Sequence, residues 1–321
     1  MKYLFVLIGL FAIFLVYKHF AKKYNIVDKP KKRSSHNIST IRGGGIIFPL
    51  AAIFWFFLNG FEFGFGIGGL FIISVISFSD DLYSLSRKVR IMAHAIGASL
   101  LILQLSLFMH PWYLWLIAFI VLIGWLNAFN FMDGINGITA LYSLVCLMSF
   151  FFIADTVNFI SKDLILVIII SILVFAFYNV RVNAVAFAGD VGSVSMAFLL
   201  GAMMLSLILE TGRFEYMMLF AIYAADSIFT IMLRLIKGEN IFKAHRSHLY
   251  QIMANEYGMP HVFVSTIYAS IQLFINVIAI YMINSGSMTF LRFTFISFII
   301  ASTYILIRHN LTRKLPTNLV T

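Results

Sequence analysis

Residues 112–154 read WYLWLIAFIVLIGWLNAFNFMDGINGITALYSLVCLMSFFFIA. Two stretches apolar enough for a lipid bilayer flank a short polar segment holding Asn130, Asp133, Asn136, Gly134 and Gly137. A hydrocarbon core of roughly 30 Å needs about 20 apolar residues in a helix. The flanks therefore read as successive membrane helices, and the polar segment as a turn at the membrane surface.

The rest of the chain follows the same pattern. Of its 321 residues, 61% are hydrophobic and 11% charged, and the mean hydropathy is +0.96. A soluble domain carries about 25% charge, so the expected fold is an all-α, polytopic membrane bundle. Eleven spans are expected, near 2–18, 44–59, 61–79, 91–109, 112–129, 138–154, 164–180, 194–210, 215–236, 261–283 and 288–307. The first has no small-x-small cleavage site after it and reads as a retained span. No linker divides the chain, so residues 1–321 are expected to form one domain. Cys146 is the only cysteine, which excludes an intrachain disulfide.

Basic residues orient the bundle. With the lysine-rich 18–43 loop inside, 19 of the 23 Lys and Arg residues fall on the cytoplasmic side. The N-terminus is then outside and the C-terminus cytoplasmic. This also accounts for the net charge of +10 through topology and anionic headgroups, and no nucleic-acid partner is expected.

With that orientation, five polar clusters share the cytoplasmic face: RSSHNISTIRGGG (33–45), SDDLYSLSRKVR (79–90), NAFNFMDGING (127–137), FAGDVGS (187–193) and FKAHRSHLYQ (242–251). Asp80, Asp81, Asp133 and Asp190 supply carboxylates, and Asn130 and Asn136 supply amides. Such oxygen ligands suit Mg2+ or Mn2+, and Mg2+ is commonly held by one or two protein groups plus substrate phosphates. Arg33, Arg42, Lys88, Arg90, His245, Arg246 and His248 suit phosphate oxygens, and the glycines permit close backbone approach. These are the parts of phosphoryl transfer. A transporter would set its polar groups near the midplane; an inactive scaffold would tolerate loss of the metal ligands. His94 and His110 have no polar sequence neighbourhood and read as structural. Asp226 lies within an apolar span and is expected to pair with Arg234, eight residues on.

SDDLYSLS, NAFNFMDGINGI, GDVGSVSMAFLLG and AHRSHLYQ resemble, in order, the motifs of the polyprenyl-phosphate N-acetylhexosamine-1-phosphate transferases. The likeness spans about residues 30 to 251. It implies a bundle of ten or eleven helices that moves a sugar-1-phosphate from a UDP-amino-sugar to a polyprenyl phosphate such as undecaprenyl phosphate, releasing UMP. It implies Mg2+ ligation by Asn130 and Asp190, and lipid-phosphate binding or deprotonation by Asp80 and Asp81. Stacking on uracil falls to Phe187 and contact with the uracil edge to Asn136. Asp133 and Gly134 shape the nucleotide end, and Arg90, His245, Arg246 and His248 meet the pyrophosphate and sugar. The His245–His248 loop resembles the bacterial branch that initiates O-antigen or other surface-polysaccharide synthesis at the inner membrane. Asn136 and Ile41 depart from the commoner Asp and Pro of the family. Direct attack and a two-step aspartyl-phosphate route both remain open, as do the sugar and the oligomeric state, a homodimer among the options.

Overall fold

The structure is a computed structural model that describes residues 1–29, 39–240 and 246–315. Helices α1 (Lys2–Lys23), α2 (Ile47–Leu58), α3 (Gly64–Tyr83), α4 (Arg87–Gln104), α5 (Trp112–Met132) and α6 (Ile138–Ile153) precede α7 (Lys162–Asn179) and α8 (Gly189–Thr211). Then come α9 (Ala221–Ile236), the single turn α10 (Leu249–Gln251), α11 (His261–Asn284) and α12 (Phe290–Arg313). The reason for an all-helix solution is physical. A backbone in hydrocarbon must satisfy its own hydrogen bonds, and a helix does so locally.

Each of the eleven expected stretches coincides with a helix. Among the described residues, eight helices are long and apolar enough to cross a membrane. The apolar helices over Gly44–Leu58 and Ile138–Ile153 are shorter, and α4 opens on Arg87, Lys88 and Arg90. The protein is an all-α, multi-pass membrane protein.

Proline placement explains several starts. Pro49 sits in the first turn of α2, while Pro111 and Pro260 immediately precede α5 and α11. A missing N–H costs nothing there, since the first turn has no intrahelical acceptor.

Helix α8 forms the centre: nearly every side chain from Val191 to Leu207 is buried. Helix α12 is the opposite, presenting Phe290, Leu291, Phe295, Phe298 and Leu306 outward. Helices in lipid gain little from mutual hydrophobicity, so tight packing through small residues matters more. The closest approach is at Gly45 and Gly192. A Cβ on Gly45 would lie 2.3 Å from Gly192 Cα and 3.0 Å from the Ala188 carbonyl oxygen.

Two expectations need correction. The all-α reading missed a small ribbon, β1 (Val27–Asp28) paired antiparallel with β2 (Thr40–Ile41), with Ile41 also bridging Ala186 in parallel. The motifs placed in loops are largely helix ends: Asp80 and Asp81 occupy the last turn of α3, and Gly189 and Asp190 open α8.

The Gly45 contact is between backbones and cannot be relieved by a rotamer change. Gly45→Ala should lower the melting temperature in detergent, consistent with an overpacking cost of about 1–3 kcal/mol. Gly68→Ala, whose new Cβ would meet nothing within 4 Å, should be unchanged or slightly stabilised.

Candidate active site

The site begins where three distant segments lock together. Phe187 N donates to Ile41 O at 2.8 Å, Gly44 N to Phe187 O at 2.8 Å, and Gly45 N to Ala188 O at 3.0 Å. This zips the loop after β2 onto the segment entering α8. Asp81 then caps α8: its carboxylate accepts from Asp190 N at 2.9 Å and Val191 N at 3.1 Å. The first N–H groups of a helix lack internal acceptors and carry positive partial charge, which a carboxylate satisfies. Gly189 adopts φ +71°, and a Cβ there would lie 2.6 Å from the Asp81 carboxylate.

Arg42 closes the joint. Its Nε lies 2.7 Å from Asp81 and its Nη2 3.5 Å from Asp190. Tyr17 holds the arginine backbone, donating its hydroxyl to Arg42 O at 2.5 Å. Burial opposes the Arg42 charge, but the carboxylates of Asp81, Asp190 and Asp28 outweigh it and raise its pKa above the usual value.

Asn130 and Asp190, sixty positions apart, are in contact. Asn130 Nδ2 donates to Asp190 Oδ1 at 3.0 Å and to Ser193 Oγ at 2.8 Å. Asp80 precedes Asp81 in the last turn of α3. It pairs with Arg90 Nη1 at 3.2 Å and accepts from Leu85 N. Among the described residues, no three His, Cys, Asp or Glu side chains converge as a metal shell. An amide and a carboxylate in contact nevertheless fit Mg2+, whose remaining ligands are commonly substrate phosphates and water.

The 133–137 turn is held from several sides. Thr139 Oγ1 donates to Asp133 Oδ1 at 2.6 Å, and Gly137 N donates to Asn179 Oδ1 at 2.8 Å. Asn179 also donates to Ala186 O at 2.9 Å, tying this turn to the segment that enters α8. Gly134 leaves room for the Tyr250 hydroxyl, which donates to Phe131 O at 2.8 Å. Asn136 is tied into the fold through its side-chain amide. It is buried, and its Nδ2 donates to Arg181 O and Val182 O, both at 3.0 Å. Its donors latch the turn to the end of α7. Phe187 is half-buried beside Asp190.

His248 is likewise tied into the fold. It is buried, with Nδ1 3.1 Å from Asp226 Oδ1. Asp226 further accepts from Leu249 N at 3.1 Å, Tyr268 hydroxyl at 2.6 Å and Tyr304 hydroxyl at 3.0 Å. Arg308 donates to Tyr304 at 2.8 Å and to Ser247 O at 2.6 Å. The expected Asp226–Arg234 pair does not form; Arg234 pairs with Glu239 at 2.9 Å. Eight helical residues advance about 800°, which leaves a helix face only roughly shared. Asp226 instead anchors the 247–250 segment, and His248 is part of that anchor. Arg246 is half-buried; Arg33 and His245 lie outside the described residues.

The glycosyl transferase family 4 profile matches residues 63–208, a segment holding Asp80, Asp81, Asn130 and Asp190. This match, together with the relatives, supports the polyprenyl-phosphate N-acetylhexosamine-1-phosphate transferase family that the motifs resemble. It is 27% identical over 274 residues to a probable undecaprenyl-phosphate N-acetylglucosaminyl 1-phosphate transferase of Bacillus subtilis, covering 77% of this chain and 74% of that protein. It is 28% identical to an undecaprenyl-phosphate alpha-N-acetylglucosaminyl 1-phosphate transferase of Thermotoga maritima, covering 74% and 76%. A phospho-N-acetylmuramoyl-pentapeptide-transferase of Thermotoga neapolitana is 25% identical over 66% of this chain and 76% of its own.

The structure therefore gathers Arg42, Asp80, Asp81, Arg90, Asn130 and Asp190 into one cluster, with Asp133, Gly134 and Phe187 in adjoining segments. Sequence reasoning missed Tyr17, Asn179, Ser193, Tyr268, Tyr304 and Arg308. Polar side chains inside apolar spans, as at Asn179 and Arg308, were the available signal.

Burial pushes the Asp133 carboxyl up to about 7. The folded state then holds a proton that the unfolded chain releases near 3.8. Between those values the folded state binds more protons, so stability falls as pH rises. In metal-free detergent buffer, the melting temperature of Asp133→Asn relative to wild type should climb from pH 5 to about 7 and level off above. A difference independent of pH would show that Asp133 does not titrate in this range.

Proposed function

We propose that the chain transfers an N-acetylamino-sugar 1-phosphate from a UDP-sugar to undecaprenyl phosphate, releasing UMP and starting a surface polysaccharide such as O-antigen. The observation that carries the reading is the contact between Asn130 and Asp190, with Asp80, Asp81, Arg42 and Arg90 around it. The names of the relatives point to the same acceptor.

Asn130 and Asp190 are the residues that would hold Mg2+, with Mn2+ as a substitute. Such an ion, when bound, neutralises the diphosphate and improves its leaving group. Arg42 contributes fixed positive charge beside Asp190. Phe187 offers an aromatic face for uracil, and Asp133 and Gly134 shape the turn beneath it. Asp81 keeps the α8 N-terminus in place. Asp80 is the group for orienting or deprotonating the lipid phosphate. An acceptor phosphate oxygen attacks the sugar-proximal phosphorus in line. The anhydride P–O bond breaks, its electron pair leaves with UMP, and the sugar phosphate is joined to the lipid as a diphosphate. Direct attack is favoured over an aspartyl-phosphate because both Asp81 oxygens are engaged by helix N–H groups and Asp80 is paired with Arg90. Arg246 is the cation that the 246–250 segment brings to the sugar side.

The deciding assay supplies purified protein with undecaprenyl phosphate, Mg2+ and a panel of UDP-sugars, and measures UMP and lipid product. No UMP release with any donor would overturn the reading. Asp190→Asn should cut turnover by at least roughly 100-fold, since each 1.36 kcal/mol is a factor of about ten. Asn130→Ala should be milder and partly restored by raising Mg2+.

The same reading sets the active site at the cytoplasmic face of a bacterial plasma membrane, with the N-terminus outside. A reporter inserted at Asn59 or Ser285 should report from outside, and one at Lys237 from the cytoplasm. A cytoplasmic signal at Asn59 would reverse the orientation.

A further inference from the structure

Helix α12 runs for 24 residues, yet only two of its side chains are buried, Tyr304 and Arg308. An arginine inside an apolar span is expensive and points to function when it faces the bundle interior. Its guanidinium makes three contacts. Nη1 donates to Thr230 Oγ1 at 2.7 Å and to the Tyr304 hydroxyl at 2.8 Å, and Nη2 donates to Ser247 O at 2.6 Å. The two hydroxyls in turn donate to Asp226, so that carboxylate balances the Arg308 charge at one remove. The third contact reaches the residue that follows Arg246.

A second tie lies at the other end of the same segment. Tyr257 donates its hydroxyl to Leu311 O at 2.7 Å, in the last turn of α12, where carbonyls lack intrahelical partners. Arg308 and Leu311 are three apart and share a helix face. Together they bracket residues 247–257. Inside the bracket, α10 runs into a π-helical turn, Ile252–Glu256, a rare geometry that recurs at functional sites. Just outside it, Arg246 Nη2 is buried with no hydrogen-bond partner among the described residues. Buried donors are nearly always satisfied, so an unfilled one beside a clamped segment calls for an acceptor from a ligand.

We propose that the C-terminal end of α12 is a clasp for this segment, and that Arg308 is a positioning residue for the donor, acting through Ser247 to set Arg246. This rests on the transferase reading, in which Arg246 meets the sugar side of the donor. Arginine suits position 308 because its planar fork reaches two hydroxyls and a carbonyl at once, whereas a lysine ammonium is a point charge on a flexible stem. A helix outside residues 63–208, the part that matches the family profile, thus governs a residue of the site.

Loss of positioning must be told apart from loss of stability. Ile296→Ala serves as the comparison, since Ile296 packs on the core and lies about 18 Å along α12 from Arg308. Hydrogen exchange is measured on the full chain in nanodiscs without substrate. Arg308→Lys should speed exchange across residues 247–257 about tenfold, the scale of one charged hydrogen bond, while Ile296→Ala leaves that segment protected. In turnover assays with Mg2+ and undecaprenyl phosphate, Arg308→Lys should raise KM for the UDP-sugar about tenfold and leave KM for the lipid phosphate unchanged. Ile296→Ala should move neither. Tyr257→Phe should shift exchange and donor KM in the same direction by less, and it carries the comparison if Arg308→Lys does not fold. Unchanged exchange at 247–257 in folded variants overturns the proposal. So does faster exchange with an unmoved donor KM, or an equal rise in both KM values. If wild type releases no UMP with any donor, the transferase reading falls by itself, and the exchange result decides the clasp.

Discussion

The carboxylate of Asp81 is the joint on which the cytoplasmic end of the bundle depends. Its side chain is fully enclosed, and it accepts the N–H groups of Asp190 and Val191 while pairing with Arg42. A buried charge is tolerated only when it is paired and hydrogen-bonded, and removing one partner commonly costs about 3–5 kcal/mol. Because α8 is the central helix, fixing its first turn fixes where Asp190 points. The zipper between Gly44–Gly45 and Phe187–Ala188 then brings Arg42 alongside. The Asn130–Asp190 pair is thus positioned by contacts made within the protein.

A second buried carboxylate works in the same way at the other side of the site. Asp226 is fully enclosed and collects donors from α9, the 248–249 segment, α11 and α12. An intramembrane carboxylate is expensive unless it faces the bundle interior and is satisfied. Here the donors come from four chain segments, so satisfying Asp226 assembles them. The result holds the segment bearing Arg246 against the membrane end of the bundle. It also explains a buried His248 in a loop of otherwise substrate-like residues.

The fold was largely legible because hydrophobic length is a strong and local signal. Every apolar stretch became a helix, and proline marked the starts of α2, α5 and α11. That Asn130, Asp190, Asp80 and Asp81 belong to one polar face was legible through resemblance and composition. The partners of polar residues were less so. Asn136 spends its donors on the carbonyls of Arg181 and Val182, and Asp226 bypasses Arg234 for His248 and two tyrosines. In each case the deciding contact joins side chain and backbone, or side chains on different helices, and sequence spacing carries no record of it.

The sequence alone determined that this is a membrane bundle with its chemistry-bearing residues concentrated in a few short polar segments. Burial in hydrocarbon demands long apolar helices, and that demand is written residue by residue along the chain. Only the tertiary structure decided which polar residues meet. Asp81 could have been a ligand, a base or a cap. It is a cap because Gly189, with no Cβ, lets the first turn of α8 settle directly onto its carboxylate. That outcome depends on helix packing at the scale of single ångströms, which the order of residues does not state.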